Sequence, residues 1–208
     1  MKMTKRTFLK TCSLGVVATA CGGLSSSGSN AEPPCVRAAG LAGWAEALAL
    51  ARGRVRSRLL VHEAELLAGW RDSDQIQIVE TGCVEDGKWR LLTRGFCMEL
   101  MLRMEIRGPI ASTPHPRPGE PWMPILQVGA LRRLMMRMLV ESRVDVAFDV
   151  VEAEPFVAKG MCVSGRNIVS GQKTGIERAL AFRLGVRREN LDPNLVRHQI
   201  AREMSLPG

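Results

Sequence analysis

Side chains able to do chemistry are scattered through this chain, and few stand at the spacing that chemistry requires. Acid and base catalysis needs two titratable groups within hydrogen-bond reach of one substrate. Asp145 and Asp149 alternate with Val144, Val146, Phe148 and Val150 and have no histidine or further carboxylate placed beside them. Protection of an exposed strand edge is their expected role. His62, His115 and His198 are far apart and in no ligand or triad spacing. The six cysteines, at 12, 21, 35, 83, 97 and 162, form no C-x-x-C pair. Methionines 135, 136 and 138 could offer thioethers to copper(I), but helical spacing explains them as core. Residues 165–174 have the flavour of a phosphate loop, yet Gln172 interrupts the Gly-Lys step and the glycines stand too far apart. These patterns specify no catalytic residue, metal ligand or cofactor.

The elements that would have to position such groups come next. Residues 41–67 are rich in alanine, leucine, arginine and glutamate and read as one helix, or two in tandem broken near Gly53. Gln75 to Val79 alternates polar with apolar, and residues 89–92 form a second short strand candidate. With the turn chemistry of residues 85–88 between them, the expectation is a hairpin. Over residues 96–107, Phe96, Met98, Leu100, Leu102, Met104 and Ile106 alternate with Glu99, Arg103, Glu105 and Arg107. This predicts a half-buried strand on which Glu99 and Arg103 make a solvated surface pair of small energetic value.

Residues 108–124 carry six prolines and predict an extended loop. An amphipathic helix is expected over 125–140, a strand over 144–150 and a short strand near 161–163. Residues 164–173 read as a glycine and serine loop, after which Thr174 caps a helix that Gly185 stops. Asp192 and Pro193 open a last helix to Met204, with Leu191 and Val196 as a hydrophobic staple. The fold class expected is α+β, one domain over 41–208 with a mixed or antiparallel sheet flanked by helices.

The start of the chain has a different character. Lys2, Lys5, Arg6 and Lys10 precede a short apolar run over 14–20, with no acidic residue before Glu32. This is the anatomy of a signal peptide. Thr4-Lys5-Arg6-Thr7-Phe8-Leu9-Lys10 resembles the twin-arginine export consensus, with lysine for the first arginine. Ala18-Thr19-Ala20-Cys21 resembles a lipobox, which implies lipidation of Cys21. The expected organisation is a signal over 1–20, a lipidation cysteine and flexible tether over 21–40, and the domain beyond. An exported protein, anchored by lipid on the periplasmic or surface side of a membrane, is the expectation. Removing the signal takes four of the 29 basic residues and leaves 25 against 21 acidic ones, so the charge falls from +8 to +4. So mild an excess, with few aromatics and no tyrosine, argues against nucleic-acid binding.

The middle of the chain carries Gly82-Cys83-Val84-Glu85, then Gly95-Phe96-Cys97-Met98-Glu99-Leu100 with Arg103, then Trp122, Pro124, Leu126, Gly129 and Arg132. In order and register these features resemble the Suppressor of Fused family, with its glycine-led turn, its G-F-x-x-E-L strand and its W-P loop leading into a helix. The likeness spans residues 79–138. It departs where proline should directly follow Trp122 and where an aromatic usually follows the helix arginine. The resemblance implies a non-enzymatic α+β domain that binds a protein: animal relatives sequester a transcription factor, and bacterial relatives look like immunity proteins. Glu99, Arg103 and Trp122 would then be structural or interface residues. The alternative is an exported accessory or enzyme domain whose site carries no recognisable motif.

Overall fold

A computed structural model describes residues 34–37, 40–79, 82–85, 88–91, 94–106, 121–122, 125–153 and 162–205. The export signal with Lys5, Arg6, Phe8, Leu9 and Cys21, as well as Pro124 and His115, lies outside the described residues. Helix α1 (Gly40–Arg52) occupies the centre of the core. Its alanines and leucines favour the helical backbone, and Leu41, Trp44, Ala45, Ala47, Leu48 and Leu50 are all buried. A helix apolar on nearly every side has to be surrounded, and the rest of the domain surrounds it.

Strands supply three small sheets. β1 (Cys35–Arg37), β2 (Arg58–Leu60) and β8 (Asp145–Ala147) form a parallel sheet. β3 (Gln75–Val79) lies between antiparallel β7 (Ile125–Gln127) and parallel β9 (Cys162–Ser164). β4 (Gly82–Glu85) pairs with β5 (Lys88–Leu91) in a hairpin and with β6 (Pro121–Trp122) on its other side, both antiparallel. The expected α+β class is therefore what the domain adopts. The expected hairpin forms around the anticipated turn, but its first strand is β4 and not β3. Because β1 is already part of a sheet, the folded unit begins before the expected boundary at residue 41; residues 33–208 form one compact unit.

Three sequence expectations fail for physical reasons. The helix read over 41–67 ends at Arg52, where Arg54 turns left-handed at φ 63°, and strand β2 and an irregular segment take the place of its second half. Residues 96–106 form helix α2 (Phe96–Ile106), not a strand. The segment contains no β-branched residue before Ile106, and leucine, methionine, glutamate and arginine all favour a helix. The buried set Phe96, Cys97, Leu100, Met101 and Met104 has the three-to-four spacing of a helix face, whereas Leu102 from the alternating set is exposed. Residues 165–173 form the start of helix α4 (Gly165–Leu184), capped at Ser164, whose hydroxyl accepts from the Arg166 amide at 3.1 Å. The anticipated loop and the phosphate-loop likeness both fall with this.

The glycines of α4 serve packing. A Cβ on Gly171 would lie 2.0 Å from the carbonyl oxygen of Ala42, and one on Gly175 would lie 2.4 Å from that of Glu46. One turn apart, they let α4 run against the α1 backbone, as small-xxx-small pairs permit in any close helix crossing. Arg178 then pairs with Glu46 and donates to the Cys35 carbonyl at 3.2 Å, tying α4 to α1 and β1.

Helix α3 (Val128–Glu141) buries Leu131, Leu134, Met135, Met138 and Leu139, as its periodicity predicts. The Trp44 indole donates to the Met135 carbonyl at 3.2 Å. Helix α5 (Pro193–Ser205) starts where expected: Asp192 accepts from the Asn194 amide at 2.8 Å, and Val196 packs on Leu191. No described helix is long and apolar enough to cross a membrane.

The end of α1 reverses a simple reading of Gly53. The left-handed residue of its C-terminal cap is Arg54, at φ 63°, with the Val55 amide reaching back to Leu50 at 3.0 Å and Arg54 to Ala51 at 3.0 Å. Gly53 is needed instead because a Cβ there would meet Ala179 Cβ at 2.7 Å. Two predictions follow from this packing, each read by chemical denaturation. Gly171→Ala loses about 1–3 kcal/mol because the clash is with backbone that cannot move aside. At the α1 cap the neighbours act oppositely: Gly53→Ala destabilises, while Arg54→Gly is stabilising by up to about 1 kcal/mol through relief of left-handed strain.

Candidate functional site

The residues singled out by the G-F-x-x-E-L stretch converge at the start of α2. Gly95 turns the chain into the helix at φ +67°, a conformation that glycine alone adopts without strain. Space requires glycine there too, since a Cβ would lie 2.1 Å from Gln172 Oε1. That same oxygen accepts from the Phe96 amide at 2.9 Å, so a buried glutamine of α4 caps α2. Phe96 packs edge-on to Trp44, with ring centroids 6.3 Å apart, and the Arg52 guanidinium sits 4.8 Å from its ring centre.

One turn further on, Glu99 is 4% exposed, so the expected solvated surface pair is corrected to a buried one. Placing a carboxylate in the interior is costly unless it is paired and hydrogen-bonded. Arg52 from the end of α1 binds both its oxygens, Nη1 to Oε2 at 2.6 Å and Nη2 to Oε1 at 2.7 Å. Arg103, one turn along α2, reaches Oε1 at 2.7 Å, a contact that the i,i+4 spacing on a helix allows. Arg103 Nη1 also donates to Glu141 Oε2 at 2.6 Å, at the end of α3. The hydrogen bond to Glu141, helped by the Glu99 and Glu141 charges, holds the Arg103 guanidinium above the ordinary arginine range, although burial opposes this. Arg103 is therefore always charged, and the chain Arg52, Glu99, Arg103, Glu141 fastens three helices at one point.

A second constellation surrounds Arg132 of α3, which is 11% exposed. Its Nε donates to the Leu66 carbonyl at 2.7 Å, and its Nη2 to those of Leu67 and Trp70 at 3.1 and 3.0 Å. Asp72 pairs with its Nη1, and Glu65 lies 3.4 Å from its Nη2. The irregular segment over 61–74 lacks a ladder to satisfy its carbonyls, and one guanidinium fork supplies the donors. The amides of Val128 and Gly129 donate to the Asp74 and Asp72 carbonyls at 2.9 and 3.1 Å, so the same segment also caps α3.

The remaining candidates separate. Gly82 faces Trp122 across the β4–β6 ladder, and Glu85 faces Lys88 beside the hairpin turn, described by their backbones alone. Asp145 pairs with Arg58 at 2.9 Å on the surface, and Asp149 is exposed. His198 is exposed on α5, whereas the Nδ1 of His62 and the Nε1 of Trp70 are buried without a partner. Cys97 is buried and Cys35 half-buried. Met135 and Met138 are core. Among the described residues no three of His, Cys, Asp and Glu gather as a metal site would require. Sequence reasoning missed Arg52, Gln172 and Glu141. Arg52 was visible only as the basic end of an apolar helix, and Gln172 as the polar residue inside a glycine pair.

Comparison with protein-family models finds no match to the chain, and comparison with curated proteins finds none either.

The chemistry this arrangement performs is mechanical. Each Glu99 oxygen already accepts from a guanidinium, and the Arg132 donors are shared among backbone carbonyls and carboxylates. Thermal unfolding measures its weight. Glu99→Gln costs about 1–3 kcal/mol, a figure reduced by the partial exposure of both arginines. Arg52→Gln and Arg103→Gln are each milder, and together they cost more than their sum by about 1 kcal/mol, because Glu99 then loses its last cation.

Proposed function

We propose that the chain is an exported lipoprotein, held at a membrane through lipid on Cys21, whose α+β domain binds a protein partner without catalysing a reaction. Lys5, Arg6, Phe8 and Leu9 direct export on this reading, and Cys21 follows the small residues that a lipoprotein peptidase needs. The domain is read as Suppressor of Fused-like or immunity-protein-like. The observation that carries the binding reading is the placement of the motif charges. Glu99 and Arg103 join α1, α2 and α3, and Arg132 gathers the segment over 61–74, so these residues shape a rigid surface instead of facing a substrate. The helical form of α2 sets this chain apart from the strand of the family pattern, while Gly95 and Gly129 hold close-packed positions and Glu99 and Arg132 paired ones within this fold.

The test is fractionation of cells that make the chain with a C-terminal tag. Wild type is expected to stay in the membrane fraction through a high-salt wash, and Cys21→Ala is expected to be released by that wash into the soluble exported fraction. Both forms remaining soluble in the cytoplasm would defeat the export and anchor reading. Crosslinking in the membrane fraction then reads the binding reading separately, as a discrete adduct with one protein that is lost from the Glu99→Gln variant.

A further inference from the structure

The corner where α4 meets α5 presents an unusual surface. Phe182, Leu184, Val186 and Leu195 are 44, 51, 41 and 41% exposed, within one helix end and the start of the next. The Gly185 cap creates the corner: the amides of Gly185 and Val186 turn back to the carbonyls of Phe182 and Ala181 at 3.2 and 3.1 Å. Only Leu180, Ala181 and Leu191 are buried beneath, with Val196 packed against them. Basic residues accompany the apolar ones. Residues 182–198 hold four arginines against two carboxylates, Glu189 and Asp192. Arg188 is paired with Glu177, whereas no ion pair among the described residues engages Arg187 or Arg197, both exposed.

The place where the chain enters the domain indicates what covers this corner. Arg178 of α4 holds the Cys35 carbonyl at 3.2 Å. Leu184 stands six residues further along the same helix, about 9 Å at the helical rise. Only twelve residues separate Cys21 from Pro34, and the chain between them even fully extended reaches about 45 Å. A lipid on Cys21 would hold the whole domain, this corner included, within reach of the bilayer surface, where tethering raises the effective concentration and a weak patch suffices.

From this we infer that the α4–α5 corner seats on an anionic phospholipid surface, with Leu184, Val186 and Leu195 entering the interface and Arg187 and Arg197 meeting headgroup phosphates. Shallow burial of apolar side chains flanked by arginine is the pattern of interfacial anchoring, and the net positive charge fits an acidic leaflet. The inference rests on the anchor reading above for its choice of occupant.

The experiment uses the full chain carrying Cys21→Ala, so that lipidation contributes nothing, and flotation with vesicles of phosphatidylcholine with or without phosphatidylglycerol. Binding is expected only with phosphatidylglycerol and is expected to weaken as salt is raised. Leu184→Glu with Val186→Glu lowers partitioning roughly tenfold or more, by removing the apolar contact and adding repulsion. Arg187→Gln with Arg197→Gln, which leaves the apolar residues in place, lowers the preference for phosphatidylglycerol roughly tenfold. Both pairs binding like the parent would overturn the inference, since the first twenty residues would then carry all the affinity. A wild-type dimer in light scattering that the glutamate pair dissolves would also overturn it, in favour of a second copy at the corner. So would loss of the crosslinked protein adduct in the glutamate pair with vesicle binding intact. Mass spectrometry of Cys21 in the membrane-extracted wild type addresses the anchor separately: an unmodified thiol sinks that reading, while the vesicle comparison still decides the corner.

Discussion

The approach of α4 to α1 governs most of what the domain can do. With Gly171 and Gly175 facing the carbonyls of Ala42 and Glu46, the two helix backbones come closer than any side chain would allow. Dispersion and burial then act along the whole crossing, which a single methyl would open. That proximity has consequences in three directions. It carries Gln172 to the turn at Gly95, where it caps α2. It lets Arg178 reach Glu46 and Cys35, fixing the edge strand β1. Through the capped turn it also sets α2 at the height where Glu99 meets Arg52.

The Glu99 network is best understood as an orienting device. A buried carboxylate with two arginines gains Coulomb energy, but desolvation takes much of it back, and an apolar replacement of the same shape could be equally stable. What an apolar cluster would lack is direction. The bidentate contact from Arg52 fixes the end of α1 against α2 in angle as well as distance. Glu141, through Arg103, extends that constraint to the end of α3. Arg132 performs the matching task at the other end of α3, where the segment over 61–74 has no ladder of its own. Helix α3 is thus held at both ends by arginine and along its length by Trp44 and the core.

How much of this was legible in the sequence depends on whether the signal was local. The α3 helix, the Asp192-Pro193 start with its Leu191 and Val196 contact, the β4–β5 turn and the Gly185 stop all rest on neighbouring residues, and they appear as expected. Residues 96–106 carry two periods at once, since Phe96, Leu100 and Met104 belong to both the alternating and the helical set. Propensity decides between them, and the absence of β-branched residues was the neglected signal. The glycines over 165–175 suggested a loop because glycine weakens an isolated helix, and only the α1 backbone opposite them explains the cost being met. Gly53 and Arg54 show the same limit: a break near Gly53 was legible, but that the helix ends there, with Arg54 turning left-handed and Gly53 packed on Ala179, depends on a residue far along the chain. Of the site, Gly95, Phe96, Glu99 and Arg103 were legible as a group, whereas Arg52 and Gln172 come from distant segments that only the fold brings near.

The same packing gives the domain a polarity. At one end of α4, Ser164 caps the helix as it leaves β9, inside the sheet that also holds β3 and β7. At the other, the helix ends in a glycine turn with exposed apolar residues, and Arg187 and Arg197 there have no carboxylate partner among the described residues. The entering strand β1 is tied to α4 through Arg178, nearer the second end than the first. On the proposed anchor reading, the α4–α5 corner is the part of the domain that seats on a membrane. The β7–β3–β9 sheet leads into the opposite end of α4, where a bound protein would not compete with lipid. A tether alone would leave orientation free. A corner that seats on the bilayer would turn the same surface toward a partner each time, and the Gly171 and Gly175 crossing transmits that orientation rigidly to α1 and the Glu99 junction.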